Sequence, residues 1–138
     1  MASGKFRDFA EDIQLHFLLG TSQSAPSAAN VRIALVTTAP SSTATGTELS
    51  ASGYTAGGIA CGFGTPVQGD PTETDNDAQI QWTAGGSPWT TIVGVVVHRG
   101  GGTLAAGTSM YFVDSLSLSV PASGTLTIAA GNLSTTEA

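Results

Sequence analysis

Basic side chains are scarce in this sequence: four Lys and Arg occur in 138 residues, none between Arg32 and Arg99 and none after Arg99. A face that binds nucleic acid needs clustered Lys or Arg to displace counterions from phosphates, so DNA and RNA are excluded as partners. Attachment to an anionic membrane through a basic patch is excluded on the same ground. Cysteine is limited to Cys61, which rules out a disulfide within the chain and leaves stability to packing or to neighbouring subunits. Long apolar runs are missing too. Phe17-Leu18-Leu19 is the one compact apolar run near the start, and Glu11 and Asp12 precede it, so neither a secretory leader nor a membrane span is expected. Charge of either sign is low, at 10% of residues with a net of -6, where about a quarter is usual. Glycine, alanine, serine and threonine take its place, and a surface of small neutral groups packs readily against copies of itself. The length suits one domain with a real core and is too short for two.

Hydrophobic spacing divides the chain into a helical start and a β body. Over residues 4 to 19, Phe6, Phe9, Ile13 and Phe17 recur every three or four positions, which predicts an amphipathic helix with Ser3 as N-cap and Gly20 as its stop. Thr21 to Asn30 reads as a polar connector containing Pro26. From Val31 the period becomes two. Strands are expected at Val31 to Thr38, within Tyr54 to Phe63, around Ile80 and Trp82, and over Trp89 to His98. Further strands are expected at Met110 to Val113, across Leu116, Leu118 and Val120, and around Leu126 and Ile128. Trp89 to His98 is the most apolar and β-branched, so it belongs at the centre, while Cys61 shares a core face with Ile59 and Phe63. Residues 39–53 and 64–77 read as loops. The expected fold is mainly β, an antiparallel β-sandwich or jelly roll of about seven strands preceded by one amphipathic N-terminal helix. Its divisions are a helix at 1–20, a connector at 21–30 and a β-sandwich domain at 31–138.

Catalytic chemistry finds little to build on. No Gly-x-Ser-x-Gly elbow occurs, and only His16 and His98 offer an imidazole base, neither with a visible orienting partner. Cys61 reads as a small buried hydrophobe. Asp70, Glu73, Asp75 and Asp77 form the only acidic cluster, but their loop lacks the glycine and distal glutamate of a calcium-binding EF-hand, so a solvated acidic loop is expected and no metal or cofactor is assigned. Gly62-Phe63-Gly64 and Gly100-Gly101-Gly102 read as turns, since neither opens a helix after a strand as phosphate cradles do.

Ile33-Ala34-Leu35-Val36-Thr37-Thr38-Ala39-Pro40, then Gly46-Thr47-Glu48-Leu49-Ser50 and Gly53-Tyr54, resembles a family of small tailed-phage virion structural proteins. Val120 to Gly131 is similar to that family's C-terminal part, although the basic residue that usually follows the tyrosine is replaced by Thr55. The resemblance implies a virion protein without catalytic residues. The expected function is a capsid decoration or stabilising protein, with a tail, collar or fibre-associated component as the second reading. Its expected partners are copies of itself, as a trimer, and the major capsid protein or tail proteins. Phe6, Phe9, Ile13 and Phe17 are the expected assembly stripe, because a helix of roughly 16 residues is marginal in water until its apolar face is covered. The rival of another class is a carbohydrate-binding β-sandwich module, stacking sugars on Trp82, Trp89, Tyr54 or Tyr111.

Overall fold

The computed structural model describes residues 2–6, 18–20, 31–68, 72–100, 102–105 and 108–137. Among these, nine strands form: β1 (Ala2–Phe6), β2 (Val31–Val36), β3 (Ile59–Ala60), β4 (Thr72–Asp75), β5 (Ile80–Thr83), β6 (Gly94–Arg99), β7 (Ser109–Val113), β8 (Thr125–Ile128) and β9 (Leu133–Glu137). Seven make one sheet in the order β3-β2-β6-β7-β1-β9-β4, and β5 with β8 makes a second, two-stranded sheet.

The most apolar strands lie at the middle of the large sheet because both of its faces are covered there. On β2, Ile33 and Leu35 enter the main core while Val36 enters a second cluster with Val96 and Phe112. On β6, Val95 and Val97 point to the main core and Val96 to the other face, so the strand reads as an unbroken apolar run. The central place expected for this segment is the one it occupies, between β2 and β7. The two-stranded sheet closes the main core. Ile80 and Trp82 are buried in it, and Leu126 and Ile128 of β8 pack against it half-buried. Cys61 joins the same core, as its alternation with Ile59 implied. On the opposite face Pro40 lies over Gly94 and Leu104 packs on the second cluster.

Four expectations need correction. The helix expected from residue 4 does not begin there, because Ala2–Phe6 is a strand lodged between β7 and β9, with Lys5 opposite Phe112 and Ala2 opposite Leu133. The backbone gains ladder bonds from both neighbours, whereas a short helix nucleates at a cost and holds only its own bonds. Residues 7–17 lie outside the described residues, and with them most of the expected helix. The sheet is also mixed, since β1 and β9 pair in parallel. The loop expected at 64–77 contains β4, and the strand expected across Leu116 to Val120 is an irregular ladder in which Leu118 and Ile92 exchange backbone bonds of 2.8 and 3.0 Å.

The two tryptophans contrast in one respect. Both are buried, but Trp89 Nε1 donates to Ser52 O at 2.8 Å while Trp82 Nε1 has no partner. An unpaired buried N–H costs about 1–3 kcal/mol. Trp89→Phe therefore loses a bond and leaves the Ser52 carbonyl with the Gly85 amide alone, whereas Trp82→Phe removes an orphan and offsets part of the lost packing. Thermal unfolding should show Trp89→Phe as the more destabilised by about 1–3 kcal/mol; equal loss would contradict the assignment.

Candidate functional site

The stretch Gly46 to Gly58, which carries part of the family resemblance, runs along the edge of β2, with Leu49 and Tyr54 packed in the main core, and is fastened there by polar side chains. Its first fastening is Glu48. Oε1 accepts the Tyr54 hydroxyl at 2.9 Å and the Gly57 amide, and Oε2 accepts the Leu104 amide at 2.9 Å. A single carboxylate thereby joins its own segment to Leu104, 56 residues further along the chain. The second fastening comes from the sheet. Arg32 on β2 donates through Nε to Gly57 O at 3.1 Å and through Nη2 to Gly58 O. His98, opposite Arg32 on β6 and 1% exposed, places Nε2 at 3.0 Å from the same Gly57 oxygen. A carbonyl only accepts, so Nε2 carries the proton. His98 is thus a buried structural donor through Nε2.

Tyr54 closes the unit. Its ring meets Trp89 edge-on, with centroids 6.0 Å apart, and its hydroxyl accepts the Leu35 amide at 3.2 Å while donating to Glu48. Leu35 lies beyond the short pairing of β2 with β3, so this side chain satisfies its amide while the Leu35 carbonyl accepts the Leu49 amide at 2.8 Å. Burial, more than the neighbouring Glu48 carboxylate, holds the Tyr54 phenol far above its ordinary range. The neutral form is favoured in the folded state, so stability from this group is complete below the unfolded phenol value of about 10 and falls as pH rises above it. Melting temperature should drop above about pH 10, and Tyr54→Phe should flatten that drop while lowering stability at neutral pH. An unchanged alkaline slope in the variant would refute the role.

Of the expected assembly stripe, Phe6 is held in β1 by backbone pairing with Tyr111; Phe9, Ile13 and Phe17 lie outside the described residues. Leu18 and Leu19, just beyond the stripe, are exposed. In the acidic segment Asn76 is the buried member. Its Nδ2 donates to Ala78 O at 2.8 Å and to Ala129 O at 3.0 Å, and its Oδ1 accepts the Leu133 amide at 2.8 Å. Among the described residues no three His, Cys, Asp or Glu side chains converge as a metal site. Burial raises the pKa of the Cys61 thiol, and the Asp77 carboxylate adds to the effect. Trp82 and Trp89, at 3% and 5% exposed, offer no ring face to a sugar.

One apolar groove opens at the side of the main core, where the two-stranded sheet leaves the large sheet uncovered. It measures about 220 Å³, with Val95, Val113 and Leu133 as its floor and Leu118, Leu126 and Ile128 along its rim. The sequence signal for it was Leu116, Leu118 and Val120 alternating with serines, which expected a buried strand face; Leu116 and Leu118 are only half-buried.

Residues 7–136 match the family model described as podophage GP4 fiber I protein gp80, and the chain belongs to that family of phage structural proteins. No curated protein and no solved structure matches it.

Proposed function

We propose that this chain is a non-enzymatic subunit of a phage tail-fibre apparatus, located on the virion tail and assembling, as a trimer, with copies of itself and with other tail proteins. The observation that carries the proposal is the family match across residues 7–136. A fibre role is preferred to capsid decoration because the family is described by a fibre protein. Several features support an assembling, non-catalytic chain. Glu48, Tyr54, Arg32 and His98, the side chains most able to do chemistry, are engaged in holding the 46–58 segment to the sheet. The outward face of β5 carries Gln81 and Thr83 and that of β8 Thr125 and Thr127, all exposed and uncharged. Such a face meets a neighbour without stripping water from ions. Burial of both tryptophans weighs against the carbohydrate-binding reading. Phe9, Ile13 and Phe17 remain proposed assembly contacts.

Immunogold labelling of intact virions tests the location. Label along the tail appendages is the expected result. Label confined to the head would transfer the chain to capsid decoration, and particles that carry none of it would remove it from the virion.

A further inference from the structure

We draw no further inference here: the strongest candidate, the apolar groove floored by Val95, Val113 and Leu133 beside the two-stranded sheet, carries nothing because nothing in the structure shows what covers it.

Discussion

Gly58→Ala should prevent the chain from reaching a stable fold. Gly58 has φ +69°, where an alanine is strained by about 1 kcal/mol before any contact is considered. A Cβ there would overlap the Ile33 carbonyl oxygen and come within 2.6 Å of the Ile33 carbonyl carbon and 2.9 Å of the Ala34 Cα. These are backbone atoms of β2, which is paired with β6 along its whole length, so they cannot yield. The turn must lift instead. Lifting it pulls Gly57 O from Arg32 and His98, Gly58 O from Arg32 and Gly57 N from Glu48. Losing even three such bonds, each about 1–2 kcal/mol, together with the strain approaches the whole stability of a small domain, about 5–15 kcal/mol. Gly102→Ala is the control, since nothing lies within 4 Å of its would-be Cβ. Urea denaturation should leave the Gly102 variant near the parent and find the Gly58 variant without a cooperative transition. Matching midpoints would refute the packing described for this turn.

Asn76→Ala is the second large effect. The side chain is 1% exposed and satisfies three backbone groups: the carbonyls of Ala78 and Ala129 and the amide of Leu133. Removal strands the buried Leu133 amide, at about 1–3 kcal/mol, and takes one bond of about 1 kcal/mol from each of the Ala78 and Ala129 carbonyls, the latter keeping the Asn132 amide. We expect a loss of about 3–5 kcal/mol by the same principle. Asn76 joins the exit of β4 to the turn between β8 and β9, and its own backbone bonds to Leu133 and Gly131 reinforce that junction. Opening should therefore begin there, and hydrogen exchange in β4 and β9 should accelerate before that in β2 and β6. Asn76→Asp should not rescue, because it keeps the acceptor for Leu133 but turns a negative oxygen toward two carbonyls. A midpoint within about 1 kcal/mol of the parent would sink the assignment.

How far this fold could be read from residues alone depends on which strands have a buried apolar face. Period-two spacing located β2, β5, β6, β7 and β8, each of which sends Val, Ile, Leu or aromatic side chains into a core. It missed β4, Thr-Glu-Thr-Asp, and β9, Leu-Ser-Thr-Thr-Glu, because hydroxyl and carboxylate side chains leave no periodic trace of a backbone ladder. β1 was obscured by a stronger signal, since Phe6 begins the helical spacing that continues to Phe17. Removing residues 1 to 20 would therefore delete a strand as well as a proposed attachment segment. Glu48 and Tyr54 were visible as parts of a recurring motif, but their bonding was not, because Leu104 and Arg32 are remote in sequence. Asn76 gave no signal at all between two aspartates. Its role depends on a contact with Leu133 that no local pattern encodes.

The parallel pairing of β1 with β9 bears on how this protein acquires its shape. Ala2 lies beside Leu133, while β7 flanks β1 on its other side. Two of the seven strands of the large sheet, β9 and β4, can therefore join it only after almost the entire chain has been synthesised, while β1 can join once β7 is made. The closing contact carries the entropy of a loop of more than roughly a hundred residues, and folds dominated by such distant pairings form slowly. During synthesis β2, β6, β7 and β1 can associate first, leaving the far edge of β1 without β9 and open to edge-to-edge aggregation. Solubility during expression should thus be set by the interval before β9 emerges, so slower elongation would lengthen exposure of that edge.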